Sequence, residues 1–294
     1  HLSTQTGVFN SLSMEFWARQ GVDRIILPRE CTIDQVRNLS QNSSIETELF
    51  IHGAMCMSIS GRCLIGAYME GRHPNFGDCP QPCRLAYKIA GIHDKPGYSE
   101  EWMTVEEAGS TAYILNSRDL NTIPIFDTII SSGVASLKIE GRNKSIHYVS
   151  SVVKVYREAI DTFIAAPDNY SPRPHWTREL DHLDHRPYTT GFYGGDYSLQ
   201  EIHSSKAHSI IRVVGIVRER LDSTVAVVEV KNPFKAGETL SILPSKPGRN
   251  PFDVTICSIS DLRSNSLDRA VTGKLAVVSS EVKLNIGDML RRKK

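Results

Sequence analysis

The sequence has no Gly-x-Ser-x-Gly elbow, no His-Glu-x-x-His pair, no Gly-rich phosphate loop and no dinucleotide fingerprint. The serine nucleophile of common hydrolases, the zinc pair of metallopeptidases and the two usual nucleotide cradles are therefore missing. Nothing identifies a nucleophile or a catalytic zinc for ordinary peptide hydrolysis. No stretch approaches the ~18 apolar residues that cross a bilayer, and the first residues lack a signal-peptide pattern. Charge of neither sign is in excess: 34 Lys and Arg face 33 Asp and Glu. Any contact with RNA must then come from a local basic patch. There is no internal repeat and no low-complexity tract.

Cysteine is present but unevenly spread. Four of the six lie between Cys56 and Cys83, while Cys31 and Cys257 stand alone. Without a secretion signal, clustered cysteines read as metal ligands or reactive thiols rather than crosslinks, which places the protein in the cytoplasm. The chain opens at His1 in a strand-like segment and is expected to be a fragment lacking its natural N-terminus.

The 294 residues allow two domains. Residues 1 to about 165 alternate apolar strands with helical patterns, the mark of a parallel β/α array. Strands are expected over 24–28, 48–53, 111–116 and 135–140. Thr32 opens a helix with Gln35 as its capping-box partner and Ile33, Val36 and Leu39 on one face. A short helix over 123–132 should end at Gly133. Ile146, Val149, Val153, Tyr156, Ile160 and Phe163 recur at helical spacing and should pack on a sheet. A Cys-rich insertion occupies about 53–97, broken by Pro74, Gly77, Pro80 and Pro82. Residues 166–207 read as a connecting segment. From 208 to 294, five or six short strands separated by turns imply a small antiparallel β-barrel.

Six residues separate Cys56 from Cys63, fifteen separate Cys63 from Cys79, and three separate Cys79 from Cys83. Four thiolates meet the ligand count of a [4Fe–4S] cluster or of a structural zinc. Zinc pairs usually leave two to four residues between ligands, which suits Cys79 and Cys83 and not the first pair. Arg62, Arg72 and Arg84 would offset the cluster's negative charge, or hold an anionic substrate beside it. From ligand chemistry alone, iron–sulfur, structural zinc and unligated thiols all remain open.

In a β/α barrel the site lies at the carboxyl ends of the strands, and side chains alternate along each strand. Lys138 and Glu140 thus share one side of their strand, read as the barrel mouth, with Leu137 and Ile139 on the other. They are candidate catalytic groups, or an internal salt bridge that closes the barrel. Arg142 and Lys144 follow where a carboxylate or phosphate would bind. His52 ends its strand just before the insertion, as a third catalytic candidate or a core histidine. Glu30 and Asn116 occupy similar strand-end positions with weaker claims. His182 and His185 read as a solvated helix face sooner than a second metal site. The basic ending at Arg291, Arg292, Lys293 and Lys294 reads as a solvated end within reach of phosphate.

The stretch from Glu48 through Cys56 and Cys63, continuing from Asn75 to Cys79, Cys83 and Arg84, resembles the signature of peptidase family U32, the collagenase-like proteases. Residues 136–142 and 188–192 also match. The resemblance implies an α/β fold: the C-terminal half of a TIM-like β/α barrel, followed by a small β-barrel like those of translation factors. Such members carry about four further strand–helix units before this chain's first residue. A half-barrel exposes a sheet edge, so a missing N-terminal half or a partner chain is expected. The branch it looks most like carries out prephenate-dependent 5-hydroxylation of the tRNA wobble uridine. That likeness implies a [4Fe–4S] cluster on Cys56, Cys63, Cys79 and Cys83, with structural zinc as the alternative. It excludes Cys31, where the family has an apolar residue. It further implies tRNA and a small dicarboxylate such as prephenate as partners, with Arg72, Arg84, Arg142 and Lys144 binding substrate and His52, Lys138 and Glu140 at the reacting centre. The alternatives are a collagenase-like peptidase and a non-catalytic scaffold.

Overall fold

The structure, a computed structural model, describes residues 1–85, 87, 115–195, 199–200 and 209–293. It divides into two compact units. The first holds His1–Arg142, Pro167–Pro172 and His185–Ala207; the second holds Asn143–Ala166, Arg173–Asp184 and His208–Lys294. Among the described residues no helix is long and apolar enough to cross a membrane.

In the first unit, helix α1 (Ser11–Arg19) starts where the Asn10 side chain accepts from the Ser13 amide at 2.9 Å. Strand β1 (Arg24–Ile26) leads to helix α2 (Ile33–Gln41). The capping box forms as expected: Thr32 Oγ1 accepts from the Gln35 amide, and Gln35 Oε1 accepts from the Thr32 amide. Strand β2 (Glu46–Ala54) is the hub, and its seven consecutive buried residues mark a strand covered on both faces. Helix α3 (Ile65–Glu70) lies in the cysteine insertion. Strand β3 (Asp119–Asn121), helix α4 (Phe126–Ile130) and strand β4 (Ser136–Ile139) follow. The expected helix over 123–132 is split, because Pro124 sits in a 3-10 turn ahead of α4; Gly133, at φ +87°, ends it.

The sheet differs from the expected all-parallel array. β2 pairs parallel with β1 and β4, but its carboxyl end pairs antiparallel with β3, His52 opposite Asn121 and Ala54 opposite Asp119. A strand that returns antiparallel needs no crossover helix. Of the strand expected over 111–116, residues 111–114 lie outside the described residues, and Asn116 precedes β3 rather than joining it.

The second unit carries helix α5 (Ile146–Ala165) and helix α6 (Pro174–Asp181), which pack on each other. The apolar stripe expected to be buried instead faces outward in its first half: Ile146, Val149 and Val153 are exposed. The buried side carries His147, Tyr148, Ser151, Val152, Val155, Tyr156 and Ala159. The reason is polar. Ser151 and His147 face inward because they belong to a buried ion network described below.

Strand β5 (Tyr188–Thr189), in the first unit, pairs parallel with β3. The barrel follows: β6 (Ile211–Arg220), β7 (Val225–Val230), β8 (Phe234–Lys235), β9 (Thr239–Leu243), β10 (Phe252–Ser260), β11 (Arg269–Ala270), β12 (Leu275–Ser280) and β13 (Met289–Lys293). Six of these close in the order β10-β12-β7-β6-β13-β9, while β8 and β11 form a separate pair. The closed antiparallel barrel agrees with the sequence expectation. Its interior is filled by Val214, Val228, Leu240, Val254, Val278 and Leu290, among others.

Of the C-terminal basic run, Arg291 is not solvated, while Lys293 is exposed. Both lie in β13, the strand that closes the barrel, and Arg291 is 1% exposed. Arg291 Nη1 donates to Glu179 Oε1 at 2.5 Å and lies 3.3 Å from His147 Nε2; Ser151 Oγ donates to the same carboxylate oxygen at 2.7 Å. Burial, and then the Arg291 charge, pushes His147 down to about 4. Glu179 and Asp184 pull the other way, and His182 adds to the depression. Between pH 4 and 6.5 the unfolded chain therefore binds a proton that the folded unit does not. The His147 contribution is fully present above 6.5, and about 3 kcal/mol of it is lost as pH drops through that window. Denaturant unfolding at pH 7 and pH 4 should show the loss, and His147→Gln should flatten it.

Candidate functional site

The carboxyl end of β2 decides where the cysteine insertion leaves the sheet. Gly53 has φ +117°, and a Cβ there would stand 2.3 Å from Glu140 O, so only glycine fits. The Glu140 amide donates to His52 O at 2.8 Å, and Ser117 Oγ donates to Met55 O at 2.8 Å. These contacts fix the exit one residue before Cys56.

The loop from Cys56 to Cys63 is tied at its turn. The Glu30 carboxylate accepts from the Ser60 amide at 2.6 Å and from Ser60 Oγ at 3.1 Å. Gly61 passes so close to Gln5 that a Cβ would lie 2.2 Å from Gln5 O. Asn75 Nδ2 donates to Gly61 O at 3.0 Å. Farther along, Cys83 sits in a 3-10 turn (Pro82–Arg84) entered through Gln81 at φ +61°. Glu30, a weak candidate from sequence, is thus the anchor of the first cysteine loop.

All six cysteines are free; Cys56 keeps an exposed surface, and Cys63, Cys79 and Cys83 are partly buried. Desolvation by the surrounding protein pushes the Cys56 and Cys83 thiols up. The other thiols push the same way, Cys63 and Cys79 on Cys56, and Cys56 and Cys79 on Cys83. Arg29 acts against this at Cys56, and Arg84 and Arg186 act against it at Cys83. Cys56, Cys79 and Cys83 thus act on one another and Cys63 acts on Cys56, with Arg29 on the Cys56 side and Arg84 and Arg186 on the Cys83 side. Among the described residues, no three His, Cys, Asp or Glu side chains are already gathered where a metal ion would sit. In donor chemistry the set fits iron–sulfur or zinc, since it offers thiols alone.

Behind the thiols lies a buried charge network that sequence reading missed. Arg186 and Asp119 are 3% and 1% exposed. Arg186 Nε donates to Asp119 Oδ1 at 3.1 Å, its Nη2 makes an ion pair with the same oxygen, and its Nη1 donates to Asn116 Oδ1 at 2.8 Å. The Arg186 amide also donates to Asp119 Oδ2 at 3.2 Å. Arg84 is held below the usual arginine value by burial and then by the Arg186 charge. The aromatic wall is adjacent: His185 stacks on Tyr188 at 3.9 Å with the rings 5° apart, and buried His52 lies 5.4 Å from Tyr188. His185 Nδ1 faces Arg186 O at 2.7 Å.

The remaining candidates are spread out. Lys138 Nζ pairs with Glu48 at 3.2 Å, and Glu140 pairs with Arg29 at 3.7 Å. Arg29 also lies over the Phe50 ring at 3.7 Å. Arg142 is exposed; its amide donates to Glu140 Oε1 at 3.2 Å, and its guanidinium lies by Gly77. Arg72 is engaged by Asp78, with Nε at 2.9 Å and Nη2 at 2.6 Å. The Arg72 hydrogen bond, and more weakly Arg142, holds the Asp78 carboxyl below its ordinary value. Lys144 belongs to the second unit, where its Nζ donates to Asp184 O at 2.8 Å.

An α/β domain with a cysteine-rich insertion at the end of its central strand, followed by a closed antiparallel barrel, defines a two-domain class of protein. Residues 1–203 match peptidase family U32, and residues 211–291 match the peptidase family U32 C-terminal domain. The chain belongs to peptidase family U32. It is 36% identical over 276 residues to tRNA hydroxylation protein P1 of Bacillus subtilis (strain 168), covering 92% of this chain and 63% of that protein. It is 33% identical over 289 residues to tRNA hydroxylation protein P of Escherichia coli (strain K12), covering 83% and 62%. It is 31% identical over 206 residues to a collagenase of Porphyromonas gingivalis (strain ATCC BAA-308 / W83), covering 66% and 47%. The chain thus spans somewhat under two thirds of the length of the two tRNA hydroxylation proteins.

Proposed function

We propose that this chain is the thiol-centre and barrel portion of an enzyme that hydroxylates tRNA, at C5 of the wobble uridine, with a prephenate-like dicarboxylate as second substrate. The observation that carries this reading is the set of four free thiols, Cys56, Cys63, Cys79 and Cys83, on the insertion that leaves β2, with Arg84 beside Cys83 in sequence. The likeness to two tRNA hydroxylation proteins over most of the chain supports the choice of reaction.

Replacing C5–H by C5–OH is a two-electron oxidation that needs an oxygen donor and an electron acceptor as co-substrates, whereas peptide hydrolysis needs only water. Cys56, Cys63, Cys79 and Cys83 would hold a [4Fe–4S] cluster, which supplies one-electron redox chemistry when bound. The cations of this chain serve the anionic substrate. Arg84 is the first choice, because Arg186 is already bound to Asp119 and Asn116; Arg72 is the second, since its partner Asp78 is an exposed carboxylate that an anion can displace. Arg142 offers a further cation. Glu140, His52 and Lys138 are the groups at the strand ends that would take or return a proton. The names of two relatives, a collagenase and an uncharacterized protease, favour a peptidase, but no hydrolase motif in the sequence identifies a nucleophile for that reaction.

Nucleoside mass spectrometry of tRNA from a strain lacking the gene tests the proposal. Nucleosides derived from 5-hydroxyuridine should disappear, return with the wild-type gene, and stay absent with Cys79→Ser. Unchanged nucleosides in the deletion strain would reject it.

A further inference from the structure

Within the second unit, a groove of about 290 Å³ runs between α5 and the loops of the barrel's outer wall. Leu243 and Met289 line it; with Ile216 they form an apolar cluster separate from the barrel interior. Val153, 48% exposed, and Pro247 add apolar surface. The loops are rigidly set. Buried Asp288 accepts from the Ser245 amide at 2.8 Å, Ser245 Oγ at 2.9 Å and the Asn285 amide at 2.8 Å. Gly287, at φ +87°, lies against Ser245, so that a Cβ there would stand 3.1 Å from Ser245 Cβ.

The rim is cationic. Lys154 crosses from α5, donating to Lys246 O at 3.3 Å and pairing with Glu158 at 3.1 Å. Among the described residues Arg157 pairs with exposed Asp161, a surface pair that a phosphate can displace at little cost. Lys246 and Arg249 are exposed on the loop beside the groove and carry no ion pair among the described residues. With Lys154 and Arg157 counted as neutralised by their partners, those two charges remain unbalanced.

We infer that this groove receives one unpaired nucleotide of an RNA, its base on the apolar lining and its phosphates at Arg157, Lys246 and Arg249. The choice of RNA rests on the tRNA reading above. A groove walled by Val153, Leu243, Pro247 and Met289, with a cationic lip, suits the face of a splayed base, which a loop offers and a duplex does not.

Fluorescence anisotropy on the full chain tests this, using a labelled anticodon stem–loop RNA and a blunt RNA duplex of equal nucleotide count. The stem–loop should bind more tightly. Val153→Trp, which fills the groove at an exposed position, should weaken the stem–loop about tenfold and leave the duplex unchanged. Lys246→Ala with Arg249→Ala should weaken both RNAs and flatten the salt slope for the stem–loop by about 1.4. Equal binding of stem–loop and duplex, or wild-type stem–loop binding by a folded Val153→Trp chain, would overturn the groove. Selective stem–loop binding with unchanged tRNA nucleosides in the deletion strain would reject the hydroxylation reading and uphold the groove.

Discussion

Glu179→Ala is expected to destabilise the second unit by about 3–5 kcal/mol, because it leaves Arg291 buried without its carboxylate. The guanidinium is 1% exposed, and its other close partner, His147, is a neutral acceptor at the edge of hydrogen-bond range. The carboxylate also takes the Ser151 hydroxyl, so the loss reaches α5, α6 and β13 together. For a unit of this size the transition should fall by roughly 10–20 °C. Glu179→Gln, which keeps an acceptor but removes the charge, should lose less. Glu179→Leu combined with Arg291→Met should recover much of the stability, since apolar residues of similar volume replace buried ion pairs at little net cost. Thermal unfolding followed by circular dichroism distinguishes the three. A Glu179→Ala chain that unfolds with the wild type would show that water reaches Arg291.

Asp119→Ala should do comparable damage in the first unit, again about 3–5 kcal/mol, and should also disturb the thiol centre. Asp119 accepts from both the side chain and the amide of Arg186, and so fixes the start of the segment that carries Tyr188 and His185. Without it, Arg84 keeps the unfavourable Arg186 charge and loses the favourable Asp119 one. Proteolysis under native conditions should cut the variant near residues 115–121 and 185–195 first. Arg186→Lys tests geometry apart from charge: one ammonium cannot serve Asp119 and Asn116 in the planar fork seen here, so it should recover only part of the loss. Protease resistance equal to wild type in Asp119→Ala would contradict this account.

Local signals were legible in the sequence where short-range chemistry decides the structure. The Thr32–Gln35 capping box, the Gly133 stop and the barrel strands from 211 onward all depend on neighbours within a few residues. What could not be read depends on distant partners. Asp119 and Arg186 are 67 positions apart, and Arg186 lies in a segment that looks like a connector. The face of α5 was misjudged because an apolar count cannot know that His147 and Ser151 meet Glu179 and Arg291. The basic ending was misjudged for the same reason: alternation is hard to see in Met-Leu-Arg-Arg-Lys, and one of its arginines has a buried carboxylate elsewhere. At the site, the cysteine cluster and the flanking Arg84 stood out by spacing and composition. The roles of Arg29, Glu30 and Arg186 around it required the fold.

The most direct measurement of the thiol centre is iron and acid-labile sulfide content of the anaerobically purified chain, read together with its visible absorption. The account predicts about four iron and four sulfide per chain and a brown protein, with both lost in Cys56→Ser and Cys79→Ser and retained in Cys31→Ser. A colourless protein carrying one zinc, or iron content untouched by those two substitutions, would contradict it.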